Sequence, residues 1–392
     1  MAVNLTNADS VLKSYYIDAI CEHLNNKINP FFAAIKHSTE HVYGKEVRRA
    51  SVHGLNGGIG AGTEDGSLPL AYGNKYSQMV ATLKNLYGTI EISDKAIRAS
   101  ENNSGAFVNI LNTEMERLVK SSSFNFARML YGDGSGILSE TLEDYEDGRY
   151  QVSDVSNFFA GMVLQFIDPF GDVMRDIPLM RVKHVDRENS IITVEDYKKN
   201  SVSAGSGSLI AVQGSYGNEL TGLKAIFSDS ETLYGLDRSS NPWLVPYYRD
   251  DVGEISENII QSVLDAIEGD TGNSSNFIVC SFGVRRALQN LFSANRRSVD
   301  TMELAGGFKA MSYNGIPIVA DRFCPAGTMY LLNTDDFVLH QLCDWQWMEA
   351  DDGKILRQVP GKPVYSATLV KYAELICSRP AGQAMLTGII EA

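Results

Sequence analysis

The stretch Gly54 to Leu70, GLNGGIGAGTEDGSLPL, places six glycines between Gly54 and Gly66. Glycine at that density can let a backbone close around phosphate, so this is the first place to look for chemistry. A dinucleotide fingerprint needs G-x-G-x-x-G between a strand and a helix. Gly58 and Gly60 supply its first half, but Thr63 stands at the third position. A P-loop ends in Gly-Lys-Ser/Thr, and no lysine lies between Lys45 and Lys75. Glu64 and Asp65 put two negative charges where phosphate needs positive ones, and Pro69 with Gly73-Asn74 prevents a helix from following. The stretch therefore reads as the tip of a glycine-rich hairpin rather than a nucleotide cradle.

The remaining reactive side chains give no constellation. Asp335-Asp336 and Asp351-Asp352 could act as paired carboxylates, but both fall at turns, where Asp serves the backbone. LEDYEDGRY, Leu142 to Tyr150, lacks the D-x-[DN]-x-[DN]-G spacing of a calcium loop and reads as a solvated acidic turn. His37 and His41 are four apart without the glutamate of a helical zinc site, and no G-x-S-x-G elbow exists. Arg285, Arg286, Arg296 and Arg297 form the one basic cluster; helix-borne charge of this kind is more often paired, here with acidic residues of a neighbouring subunit, than set against nucleic acid. Trp345 and Trp347, at period 2, read as strand core. The expectation is no catalytic residues, no cofactor, no metal and no enzyme activity.

The elements that would hold these residues are more informative. Asp9 to Leu24 has helical apolar spacing. Lys45 to His53 and Lys75 to Leu86 are extended stretches flanking the glycine-rich tip, a long hairpin decorated by Arg48 and Arg49 and too polar to bury itself. Phe107 to Tyr131 keeps a helical stripe and stops at Gly132-Asp133-Gly134; about 25 residues make a rod ~37 Å long. Met162–Asp168, Leu179–Asp186, Ser190–Val194 and Leu209–Gln213 read as short strands of a small antiparallel β-barrel, OB-like in scale. An α/β region follows: a helix from Ser256 to Glu268, a strand at Phe277–Cys280, a helix capped by Ser281, and strands at Ile316–Ala320 and Thr328–Leu332. Leu342–Met348, Lys354–Val359 and Val364–Cys377 are strands, and AGQAMLTGIIEA reads as a short tail.

The chain has 392 residues, 21% charged, with a net charge of −14, which argues against a generic basic face for nucleic acid. Five scattered cysteines argue for a reducing compartment. No apolar run approaches the ~18 residues of a membrane span, and MAVNLTNADS reads as no secretory signal.

Arm helix, long glycine-tipped hairpin, long helix, α/β region and closing strands come in an order that resembles the major capsid (coat) proteins of tailed bacteriophages, the Hong Kong 97-type fold. Locally, GLNGGIGAGTEDGSLPLAYG resembles that family's extended-loop tip, and YGTIEISDKAI its returning strand. NGIPIVADRFCPAGTMYLLNTDDF resembles its axial strands, while DWQWMEADDGKILR and VYSATLVKYAELICSRP resemble its closing peripheral strands. The β-rich segment after the long helix is the main departure; some members carry such insertions.

The resemblance implies an α+β chain with an N-terminal arm at 1–41, an extended loop at 42–90 and a peripheral domain with its spine helix at 91–147. It further implies an inserted β-barrel at 148–227, an axial domain at 228–335, peripheral strands at 336–380 and a tail at 381–392; the barrel is expected to face outward, since a flexible module inside would compete with packed DNA. It implies a structural subunit that self-assembles into pentamers and hexamers of an icosahedral head enclosing double-stranded DNA. A separate scaffolding protein and a portal protein would be partners, with no membrane involved, and assembly would take place in the bacterial host cytoplasm. On this reading the extended loop crosses a neighbouring subunit through Arg48, Arg49, Gly57, Gly58, Gly60, Gly62, Glu64, Asp65, Leu68 and Pro69, its glycines letting the tip bend. An encapsulating nanocompartment shell is the near alternative. An α/β enzyme with an OB-like module, and an oligonucleotide- or glycan-binding protein using the β module, are those of a different class.

Overall fold

The computed structural model describes residues 29–96, 104–145, 147–196, 204–294, 301–303, 309–349 and 353–392. The expected arm helix, Arg296, Arg297 and the Asp351-Asp352 turn lie outside the described residues. Among the described residues no helix is long and apolar enough to cross a membrane.

The helical stripe produces a helix over Ser104–Met129, 26 residues and ~39 Å long. Its last turn tightens, Tyr131 N donating to Arg128 O at 3.0 Å and Gly132 N to Met129 O at 3.0 Å. Met115, Val119, Phe126, Met129 and Leu130 are buried. The helix lies against the strand Lys84–Ser93 where that strand has glycine: a Cβ on Gly88 would stand 2.9 Å from Ser122 Oγ and 3.0 Å from Leu118 Cδ1. That strand pairs antiparallel with Val364–Cys377, which pairs in turn with Phe337–Trp347. Lys36–Ser38 adds a short parallel edge beside Phe337–Trp347. Trp345 and Trp347 are buried in this core, as their period-2 spacing predicted.

A seven-stranded sheet forms the second body. Its order is 247–249, 384–386, 329–332, 277–280, 316–320, 309–313, 301–303. Side chains of Phe277–Cys280 alternate between two cores: Phe277 and Val279 face the body just described, Ile278 and Cys280 face the helices. Those helices, Glu257–Thr271 and Phe282–Ala294, are capped by Ser256 and by Ser281, the latter as expected, each hydroxyl accepting an N–H at 3.3 Å. The segment read as a tail does structural work instead. Ala384–Leu386 enters the sheet between 247–249 and 329–332, and Ala384, Leu386 and Ile389 are buried.

The third body is a closed barrel of six antiparallel strands, around the ring 191–196, 149–152, 137–144, 209–212, 163–167, 180–186. It has its own core, including Tyr150, Phe158, Leu164, Phe166, Ile192 and Ile210. Four of its strands match the sequence expectation. The other two, Ile137–Asp144 and Arg149–Val152, pair across the stretch read as a solvated acidic turn. The barrel leaves the long helix through Gly132–Gly136 and returns along 213–222. Its root is held by buried groups: the Arg128 guanidinium pairs with Glu219, and Thr221 N donates to Glu374 Oε1 at 2.8 Å. A Cβ on Gly222 would run into the carbonyl oxygens of Met129, Leu130 and Gly132, so only glycine allows the return strand this close.

Two buried carboxyl groups near this root set a pH dependence. Glu374 accepts from Thr221 N and Leu375 N, and burial pushes it up to about 7. Asp321 accepts from Tyr131 Oη at 3.0 Å and Phe323 N at 2.9 Å, and burial pushes it up to about 6. Folded values above the unfolded ones mean that the stability they contribute is full below about pH 4 and is lost as pH rises through about 6 and 7. His37 and His340 are lowered, chiefly by burial, and work in the opposite sense below about pH 6.5. A comparison with Glu374→Gln isolates the carboxyl effect. From pH 5 to pH 8 the native chain should lose stability relative to that variant, by on the order of 3 kcal/mol in urea unfolding. Parallel pH profiles for the two chains would refute the assignment.

Candidate subunit interface

The strands Glu46–His53 and Lys75–Thr82 form the expected hairpin, with Val42–Tyr43 as a third strand. Lys75 to Leu86, read as one extended stretch, breaks at buried Leu83, and Lys84–Ser93 passes into the other sheet. The hairpin base is anchored rather than free. Val47 and Met79 are buried, Val80 N donates to Tyr234 O at 2.9 Å, and Ser51 Oγ donates to Ser378 O at 3.2 Å. The His53 ring stacks on Trp243 with centroids 5.0 Å apart.

Beyond Gly54 the ladder stops, and among the described residues nothing covers the loop. Leu55 is 99% exposed, Ile59 86%, Leu68 89% and Leu70 75%. Sequence reasoning named Leu68 and missed the other three; the available signal was aliphatic residues in a polar, glycine-rich stretch with no periodicity to bury them. Within the subunit the glycines have a packing use. Gly57, Gly58, Gly60 and Gly62 are not among the residues at positive φ, whereas Gly54 is, at φ +77°. They let the two limbs of the loop lie together: a Cβ on Gly57 would be 3.3 Å from Tyr72 Cβ, and one on Gly60 3.1 Å from Pro69 Cγ. Gly58 sits opposite the Leu70 carbonyl, and its N–H donates to Asn56 Oδ1 at 2.8 Å. The result is a thin, two-limbed flap with aliphatic side chains outward.

Glu64 and Asp65 stand exposed at its turn, without a hydrogen bond or ion pair among the described residues. Arg48 pairs with Glu46 at 3.0 Å on the hairpin, and Arg49 is half-buried at its base. The helical cluster is separate. Arg285 stacks over Phe282 at 5.3 Å, and Arg286 Nε donates to the Ala392 carbonyl. No hydrogen bond or ion pair joins the two sets among the described residues.

A further cleft of about 190 Å³ lies where the strand 84–93, the long helix and the barrel return meet, and Asn85, Ser122, Asn125, Gln213 and Asn218 give it an amide and hydroxyl lining. Among the described residues no three His, Cys, Asp or Glu side chains gather as metal ligands. Asp336, one of the paired carboxylates considered above, accepts from Asn273 Nδ2 at 2.8 Å and Gln383 Nε2 at 3.1 Å, a structural use.

No family model and no curated protein matches the sequence. Solved structures do match. A chain of the cyanophage A-1(L) capsid superposes with a TM-score of 0.54 at 12% identity, over 95% of this chain and 92% of that one. The chain has the capsid fold of tailed phages. The SrpI encapsulin of Synechococcus elongatus matches at a TM-score of 0.48 and 11% identity, over 92% of this chain and 88% of that one. The capsid of Myoviridae phage XM1 matches at 0.47 and 8%, over 93% and 92%. The hairpin with its flap and the helix Ser104–Met129 fall in the stretches expected as extended loop and spine helix, and a closed barrel is present as expected, but Lys84–Ser93 belongs to another sheet and the barrel begins at Ile137–Asp144, before the expected border at 148.

Proposed function

We propose that the chain is a structural coat subunit which assembles through pentamers and hexamers into an icosahedral phage head around double-stranded DNA. The observation that carries this reading is the flap: four aliphatic side chains, each three-quarters or more exposed, on a loop anchored firmly at its base. Exposed aliphatic side chains gathered on one loop mark a contact surface. Within the capsid fold, the surface that meets it belongs to the next copy of the chain. The inserted barrel faces outward on this reading, away from packed DNA. Net charge of −14 suits a shell that encloses DNA without gripping it. A separate scaffolding protein and a portal would complete the head, assembled in the host cytoplasm.

Size-exclusion chromatography with light scattering, followed by negative-stain microscopy of the largest species, tests the reading. Rings or closed shells are the expected result. A chain that stays monomeric with crowding agents and scaffold present would overturn it. Shells that hold protein cargo in place of DNA would turn the assignment to a nanocompartment.

A further inference from the structure

We propose that Arg322 is the seat for the acidic tip of the extended loop, Glu64-Asp65, of a second copy of this chain. This rests on the shell reading above and names the surface that receives the loop.

Arg322 follows the strand Ile316–Ala320 and is exposed where the spine helix, the barrel and the seven-stranded sheet meet. Its guanidinium lies over three rings, one from each body: Phe124 at 4.8 Å, Phe159 at 5.0 Å and Phe323 at 5.6 Å. Phe124 packs edge-on against both other rings, at 4.1 Å and 4.8 Å between centroids. Arg187 stacks on the same Phe159 at 5.2 Å, but its amino groups are committed to the carbonyls of Val155, Ser156 and Phe158. The adjacent Asp321 points inward to Tyr131 and Phe323 N. Arg322 itself makes no hydrogen bond or ion pair among the described residues.

Three rings thus gather under a guanidinium that makes no hydrogen bond or ion pair among the described residues. A guanidinium is a planar fork that a carboxylate binds well, and the rings add a cation–π contact that holds it near them. The chain supplies the complement. Glu64 and Asp65 are equally open among the described residues, and the flap that carries them also bears exposed Leu55, Ile59, Leu68 and Leu70. A flap with acids at its turn and aliphatic side chains along its limbs matches a cation over phenylalanine rings, in charge and in apolar character. A nucleic-acid phosphate would match the charge alone.

The test uses the full chain and three variants: Arg322→Glu; Glu64→Arg with Asp65→Arg; and all three together. Glu64 and Asp65 are exposed and unpartnered, so the loop variant should melt with the native chain, which keeps the test valid if Arg322→Glu folds poorly. Each one-sided variant should lower shell yield roughly tenfold or more, and the combined charge swap should restore it. Native-like assembly of the loop variant, or a swap no better than its parts, would overturn the pairing while leaving the shell reading intact. Native chain that forms no rings or shells would overturn both. Normal empty shells from Arg322→Glu with impaired DNA retention would reassign the seat to phosphate.

Discussion

Deleting Gly54 to Gly66 should abolish shell formation and leave the subunit folded. The deleted residues carry Leu55 and Ile59 outward and bury no core side chain, so the thermal midpoint should stay within about 2 °C of native. The anchors below them, Val47, Met79, His53 on Trp243 and the Val80–Tyr234 bond, remain in place. Assembly is another matter. An aliphatic side chain moved from water into a contact is worth about 1.5–3 kcal/mol. Losing two of them from every contact should weaken each by about a hundredfold or more, and a closed shell multiplies that loss over all its contacts. Replacing Leu55, Ile59, Leu68 and Leu70 by serine should reproduce most of the effect without shortening the loop. Sedimentation of assembled against free protein, beside a melting curve, checks both halves. Normal shells from the deletion would remove the loop from the interface, and an early melt would show that it serves the subunit instead.

The flap also shows what the sequence could and could not disclose. Local periodicity was enough for the spine helix and for strands such as Phe277–Cys280 and Val364–Cys377, where apolar runs or alternation meet clear stops. It was not enough for Ile137–Asp144. The buried positions of that strand include Ser139 and Thr141, so no apolar alternation marks it and its acids make it look like a turn. Ala384–Leu386 was unreadable for another reason. Three residues cannot signal a strand alone, and its partners at 247–249 and 329–332 are brought to it only by the whole fold. The glycines of the flap were noticed for their number, yet their use, close approach of Gly57 to Tyr72 and of Gly60 to Pro69, depends on pairing across the loop. The Arg322 seat needs one ring from each of three bodies, which no window of sequence contains.

The same convergence makes the barrel root the place where one substitution should cost the subunit most. Arg128 and Glu219 pair with side chains 5% and 2% exposed, and Asn125 Oδ1 accepts from Arg128 Nε at 3.1 Å and Nη2 at 2.8 Å. Glu219→Ala leaves a guanidinium buried without its counter-ion, and the expected loss is about 3–5 kcal/mol of unfolding free energy. Replacing both, Arg128→Met with Glu219→Ala, removes the desolvation cost together with the attraction and should come closer to native than Glu219→Ala alone. The two single variants should also differ in their response to pH. Arg128→Met strands a carboxylate, which can take up a proton, so its cost should shrink toward pH 5. Glu219→Ala strands a guanidinium, which cannot lose its proton in this range, so its cost should not shrink in that way. Urea unfolding of the four chains at pH 5 and pH 8 gives the coupling energy and this contrast together. A Glu219→Ala loss below about 1 kcal/mol would show that the glycine-mediated approach at Gly222, rather than the ion pair, holds the barrel to the spine helix.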